Sequence, residues 1–382
     1  MQHRSSRRAA RVVIAPDSFK GSADAREAAA AIGRGWLSGR PGDEILLRPM
    51  ADGGEGTLDA FETAVPGAIR QPITVSGPLG SAVEASWLLL PDGTAVVELA
   101  STSGITLLGP DQLNAQEAST RGFGEAIAAA VAGGATRLLL AVGSSCSTDG
   151  GAGALQALGA TIVGADGTEI GPGARGLAKV RGVDLSSLPP PPERGAVVIS
   201  DVANPLLGPR GAAAVFGPQK GATPEDIRSM DTALARFAFA LSASGIPVDP
   251  STPGAGAAGG TAFGLLAWGA TLTPGSEIVA ETIALADDID ASTVVVTGEG
   301  RFDEQSAEGK VPAFVLWLAE RRGASTLLVA GSIDAATTGF DAAESLSAIA
   351  GSAEAAIADP APALEEAGRR LAAHVSSREA AL

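Results

Sequence analysis

Short β-branched or leucine-rich runs alternate with alanine-rich stretches along most of this chain, and most of the runs are followed within a few residues by Gly, Asp or Ser. That alternation constrains the fold more than any other feature, because repeated strand and helix segments build mainly parallel sheets covered by helices. The spacing predicts strands over 12–15, 44–48, 83–90, 94–99, 137–142, 196–200, 293–297 and 326–330. It predicts helices over 23–37, 56–63, 120–132, 152–158, 224–242, 262–268 and 312–322, with Ser22 and Thr223 as N-caps. The prolines at 189–192 read as an exposed polyproline loop and 251–260 as a flexible glycine-rich turn. The chain is therefore expected to be α/β.

At 382 residues with 45% hydrophobic content, the chain can bury a large core and is long enough for two domains. No segment approaches the ~18 uninterrupted apolar residues of a membrane span, and the basic start, Met1 to Arg11, lacks an apolar secretory core and reads as a disordered leader. A net charge of −16 argues against nucleic acid or an anionic membrane as partner, since both require a basic face. The single cysteine, Cys146, excludes an internal disulfide and fits a reducing cytoplasm; with no base beside it, it reads as a small buried residue. The two histidines, His3 and His374, lie near the termini and tyrosine is absent, so acid–base work falls to Asp, Glu and Lys.

Lysine usage points to a ligand. Only Lys20, Lys179, Lys220 and Lys310 occur, and Lys20, Lys220 and Lys310 each adjoin a glycine. A compact ammonium beside backbone that a ligand can approach closely suits phosphate.

The charged motifs follow predicted strands, where open α/β sheets bind ligands. Asp17-Ser18-Phe19-Lys20-Gly21-Ser22 leads from a strand into a helix, an arrangement that favours an anion. Asp52-Gly53-Gly54-Glu55-Gly56 holds two carboxylates among glycines, with turn and helix capping as the alternative roles. Asp201-Val202-Ala203-Asn204-Pro205 suits a hydrated Mg²⁺ or a substrate hydroxyl, or in the case of Asn204 the start of a turn. Glu299, Arg301, Asp303 and Lys310 place both signs of charge within one segment. The match of 254–259 to G-x-G-x-x-G follows no strand, so the dinucleotide context fails, and no Walker P-loop is present.

Taken in order, the segments 16–22, 50–57, 149–153, 201–206, 217–222 and 298–310 resemble the class I glycerate kinases, and the resemblance runs from about Val12 to Ala373. Thr148 stands where that family more often has Asn, and Ser306 replaces a frequent Thr. The resemblance implies ATP-dependent phosphorylation of D-glycerate with Mg²⁺, at the 2-hydroxyl, with the 3-hydroxyl as alternative. It also implies two α/β domains, a discontinuous one (1–76 with 289–382) built on a flavodoxin- or Rossmann-like parallel sheet and an inserted one (77–288), with the active site in the cleft between them. A homodimer is compatible with this reading.

Within that expectation, Lys20, Asp201, Arg301 and Asp303 are the catalytic candidates. Asp17, Ser18, Asp52, Gly53, Gly54, Glu55, Asp149, Asn204, Lys220, Glu299 and Lys310 are the substrate and phosphate contacts. Phosphoryl transfer asks the protein to position reactants and meet negative charge, which assigns Lys20, Lys220, Arg301 and Lys310 to the triphosphate and the glycerate carboxylate. Arg301 suits the carboxylate through its planar fork. Asp201 is the expected base, and Asp201 and Glu299 the expected Mg²⁺ carboxylates. The glycines at 254–260 and 298–300 are expected to absorb backbone rotation.

Overall fold

The computed structural model describes residues 9–304, 306 and 310–381. Most of the expected leader, together with Gln305, Glu308 and Gly309 of the last charged motif, lies outside the described residues. The described residues form thirteen strands: β1 (Arg11–Pro16), β2 (Glu44–Leu47), β3 (Ile69–Ser76), β4 (Ala82–Leu89), β5 (Thr94–Glu98), β6 (Arg137–Ala141), β7 (Thr161–Val163), β8 (Gly182–Asp184), β9 (Ala196–Ile199), β10 (Thr271–Thr273), β11 (Thr293–Phe302), β12 (Ser325–Ile333) and β13 (Ala342–Ser345). They fall in two compact units, one comprising 1–52, 59–66 and 276–382, the other 53–58 and 67–275.

The chain-end unit holds a five-stranded, fully parallel sheet in the order β13-β12-β11-β1-β2. Its central strands are apolar on both faces, as a sheet covered on both sides requires. Val12, Ile14, Val294, Val296, Leu327 and Val329 point into one core, which is completed by Ile32, Trp36, Leu364 and Leu371 of the helices Ala25–Gly39 and Pro360–Ala381. Those helices touch at the backbone, since a methyl group on Gly35 would lie 1.8 Å from the Glu365 carbonyl oxygen. The alternate residues Val13, Val295 and Leu328 face the other way, and the helix Val311–Arg322 packs against β11 and β12.

The path through this sheet creates a divide. From β1 the chain passes through the helix Ala25–Gly39 to β2 in one direction; from β11 it passes through the helix Val311–Arg322 to β12 and β13 in the other. The connections leave β1 and β11 on opposite sides, so a crevice opens at their carboxyl ends.

The second unit holds a six-stranded sheet, β10-β9-β6-β5-β4-β3, with β10 through β5 parallel and β4 and β3 antiparallel, and a small β7-β8 ribbon. Its core gathers Phe123, Leu138, Leu140, Phe237, Phe263 and Trp268, with Phe237 and Phe263 edge to face at 6.2 Å. Because β3 pairs with β4 from Ile69 to Ser76, the segment 67–76 belongs with this sheet, and 276–288 belongs with the chain-end unit. The divisions thus fall near residues 66 and 275 instead of 76 and 289.

Two local expectations are corrected. Asp24, not Ser22, caps the helix Ala25–Gly39: its carboxylate accepts from the Glu27 amide at 2.7 Å while Glu27 accepts from the Asp24 amide. The segment 254–260 is no flexible turn. It is largely buried, Gly256 donates to the Asn204 carbonyl, Gly259 accepts from the Gly150 amide, and a methyl group on Gly259 would lie 2.1 Å from the Ser147 carbonyl oxygen. Those glycines allow chains to touch and leave no room for a hinge. Gly298, likewise, sits inside β11 with its Cα face closed by the Val329 carbonyl.

Candidate active site

A cavity of about 390 Å³ opens at the divide between β1 and β11. Asp17 and Ser18 leave β1 into it. The turn that follows is tight: Phe19 and Ala23 exchange backbone hydrogen bonds of 2.8 and 3.1 Å, the Phe19 ring is buried, and Gly21 takes φ +80°. That turn lifts the Lys20 side chain into solvent, 80% exposed, with its ammonium 3.7 Å from Asp52. Gly300 lies directly under the turn, where a methyl group would come 3.0 Å from the Lys20 amide.

From β11 come Glu299, Arg301 and Asp303. The Arg301 Nε is held by Asp334 at 2.7 Å, with Asp303 at 3.8 Å. Ser306 donates to the Arg301 carbonyl and its amide to Asp303, which folds the segment back on itself. Lys310 lines the same cavity and is the N-cap of the helix Val311–Arg322. The other helix terminus of this region, at Ala25, is closed by the carboxylates of Asp24 and Glu27.

Electrostatics distinguish two of the acids. Burial, reinforced by the negative charge of Asp52, holds the Asp17 carboxyl well above the usual carboxylate range, against the pull of the Ser18 amide bonded to it at 2.7 Å. Burial likewise raises Glu299, whose Oε1 has no hydrogen-bond partner among the described residues. Two buried carboxyls poised to take a proton or a cation, facing three basic side chains, form a site prepared for charge that arrives with a ligand.

The cavity thus gathers Asp17, Ser18, Lys20, Asp52, Glu299, Arg301, Asp303 and Lys310. The remaining expected residues lie in the second unit. Gly53, with φ +90°, packs on the Ile199 carbonyl and accepts from the Gly143 amide, while Glu55 is exposed at a turn. Asp201 stands beyond the end of β9, exposed, and accepts from the Gly275 amide at 2.6 Å. Asn204 donates from its side-chain amide to the Arg210 carbonyl at 2.8 Å.

Asp149 and Lys220, expected as ligand contacts, make internal contacts in this structure. Asp149 is buried and accepts from Thr120, Gly151 and Gly153, which ties the start of the helix Ala152–Leu158 to its neighbour. Lys220 is buried, its ammonium bonded to the Ser147 carbonyl and Ser145 Oγ, and burial lowers it to about 8. A glycine neighbour accompanies a cavity-lining lysine at 20 and 310 and a packed one at 220, where Gly221 supplies φ +82°. Cys146 is buried and its thiol is pushed up to about 11 by burial, as befits a structural residue.

Sequence reasoning missed Gly331, Ser332 and Asp334 at the end of β12, and the apolar side of the cavity, Leu346, Ala353, Ala356 and Ile357. A strand followed by Gly-Ser-Ile-Asp carried the signal for the first group; nothing in the alanine-rich stretch marked the second.

A parallel sheet with basic and buried acidic side chains lining a cavity at its divide is the arrangement of an α/β enzyme that acts on small molecules. The chain belongs to the glycerate kinase family, whose model matches residues 12–376. It is 42% identical to the glycerate kinase of Bacillus subtilis (strain 168) over 326 residues and 42% identical to the glycerate 2-kinase of Escherichia coli (strain K12) over 327 residues, each match covering 85% of both chains. A crystal structure described as a glycerate kinase 2 from Salmonella typhimurium LT2 superposes with a TM-score of 0.82 at 37% identity, covering 97% of this chain and 100% of that one. The protein is accordingly a kinase, a class that implies use of ATP and of a small-molecule acceptor. Among the described residues, no helix is long and apolar enough to cross a membrane.

Proposed function

We propose that this chain transfers the γ-phosphoryl group of ATP, accompanied by Mg²⁺, to the 2-hydroxyl of D-glycerate in the cytoplasm. The observation that carries the reading is the convergence of Lys20, Arg301 and Lys310 on one cleft with the buried acids Asp17 and Glu299. Phosphoryl transfer needs cations to meet charge on the phosphoryl oxygens and a group to take the acceptor's proton. Lys20 and Lys310 are assigned to phosphate oxygens. Arg301, steadied by Asp334, is assigned to the glycerate carboxylate.

In the step itself the acceptor oxygen bonds to the γ-phosphorus, the bond to the ADP oxygen breaks, and the hydroxyl proton passes to a carboxylate. Asp17 is favoured as that carboxylate, because it lies in the cleft, where burial and the charge of Asp52 favour its taking up a proton. Asp201, the alternative, sits in the second unit with one oxygen bonded to Gly275.

Among the described residues no three His, Cys, Asp or Glu side chains form a ready-made metal site. That fits Mg²⁺, which keeps several waters and uses one or two carboxylates plus substrate phosphates. Glu299, with its buried unpartnered Oε1, is the residue that would meet the ion, which neutralises phosphate charge when bound. The name of the Escherichia coli relative favours the 2-hydroxyl. A coupled assay of ADP release with D-glycerate tests the activity, and phosphorus NMR of the product tests the position. No ADP release with D-glycerate overturns the reading, and 3-phosphoglycerate as sole product overturns the position.

A further inference from the structure

The cleft is chemically two-sided. One side carries Lys20, Glu299, Arg301 and Lys310; the other, formed by Leu346, Ala353, Ala356 and Ile357, carries no polar side-chain atom. Leu346 is 1% exposed and forms the base of this wall, whereas Ile357 is 53% exposed, an isoleucine held at the mouth of a charged cavity.

A three-carbon polyhydroxy acid has no use for such a surface. It is polar at every carbon, and 390 Å³ is room for roughly a dozen waters at ~30 Å³ each, several times what it fills. A nucleoside triphosphate matches both sides, with a flat, largely apolar ring system at one end and a polyanion at the other. Ligand sites commonly pair an apolar lining with a few placed polar groups in this way. We propose that the wall of Leu346, Ala353, Ala356 and Ile357 is the seat of the purine ring of ATP, which directs the triphosphate toward Lys20 and Lys310. This rests on the assignment of the cleft to phosphoryl transfer.

The probes are ADP, which carries the base, and inorganic tripolyphosphate, which does not. Ile357→Asp is expected to raise the Kd for ADP and the KM for ATP at least about tenfold, while the KM for D-glycerate and the inhibition constant of tripolyphosphate stay within about twofold. Ile357→Leu should restore ADP binding. Ala353→Trp, which fills the wall from an exposed position, should weaken ADP in the same selective way. Unchanged ADP affinity in Ile357→Asp and Ala353→Trp, or equal weakening of ADP and tripolyphosphate, overturns the proposal. Wild-type protein that turns over glycerate while both variants bind ADP normally sinks the purine seat alone. Wild-type protein that binds ADP through the wall yet turns over no glycerate leaves the seat standing and sinks the proposed acceptor.

Discussion

Gly331 of β12 lies so close to Gly300 of β11 that a methyl group on it would sit 2.2 Å from the Gly300 carbonyl oxygen. Gly300 in turn lies under the Lys20 turn, so three strand-end segments stack with no side chain between them. Gly331→Ala must push β12 away from this stack. It is expected to cost about 1–3 kcal/mol of stability, as overpacking does, and to lower kcat/KM by displacing Glu299 and Arg301. Thermal melting and steady-state kinetics check both; a variant with native activity would show that the stack does not set the geometry of the cleft.

The lysines separate into kinds. Lys20→Ala and Lys310→Ala should each lower kcat/KM at least about a hundredfold, roughly 2.7 kcal/mol of transition-state stabilisation. Lys179→Ala, at an exposed position away from the cleft, should be near neutral. Equal and mild effects at all three would contradict the assignment of phosphate to the cleft.

Asp17→Asn should trade activity for stability. A carboxyl whose folded pKa lies above its unfolded value binds more protons folded than unfolded, so its contribution to stability falls as pH rises between the two values and stays lost above them. At neutral pH the Asn variant should therefore melt above wild type. The gap should close below the unfolded pKa of about 4. Turnover should drop by about 10²–10⁴-fold, the usual contribution of a general base. If the variant keeps its turnover, the base lies elsewhere and Asp201→Asn becomes the decisive comparison.

Lys220 has the opposite sign of effect. Its folded pKa of about 8 lies below a lysine's ordinary value of 10.5, so between those values the unfolded chain holds a proton that the folded chain has released, and stability rises with pH. Wild type should gain on Lys220→Met by about 1–3 kcal/mol from pH 8 to pH 10 in denaturant titrations. The other group that titrates in that window is Cys146, whose thiol burial pushes up to about 11; comparing Lys220→Met in a Cys146→Ser background removes its contribution. A flat difference across it would show that the ammonium is not buried as a charge.

The parts of the fold legible in the sequence were those where one local rule dominated. Val12–Ala15 and Val294–Val296 are apolar on both faces because their sheet is covered on both, and Thr223 caps its helix because Asp226 closes the box. Where two rules competed, reading failed. Pro72 argues against a strand, yet β3 forms because it lies at the sheet edge, where a missing donor is tolerated. The helix Pro360–Ala381 was hidden behind its opening prolines, although proline suits a first turn. In the cleft, charge beside glycine announced Lys20, Glu299 and Lys310, and the polar loop after a strand announced Asp17. The same signal accompanies a buried ammonium at Lys220, since adjacency to glycine says nothing about which way a side chain turns. The apolar wall was silent because alanine and isoleucine in a helical stretch look alike whether they face a core or a ligand.

The hydroxyl of Thr297 donates to the carbonyl of Ala15 across 282 positions of sequence, the measure of how far apart the two central strands of one sheet are made. On the ribosome, β1 emerges early and must wait for β11 while the intervening 67–275 unit is synthesised. At about 5–20 residues per second, that interval is roughly fifteen to sixty seconds. Throughout it Val12, Val13 and Ile14 have β2 beside them but no partner on the other edge. The nascent chain thus carries an unpaired apolar strand for most of its translation, a natural client for a chaperone at the exit tunnel, and its yield should depend on that protection more than on the intrinsic stability of the finished sheet.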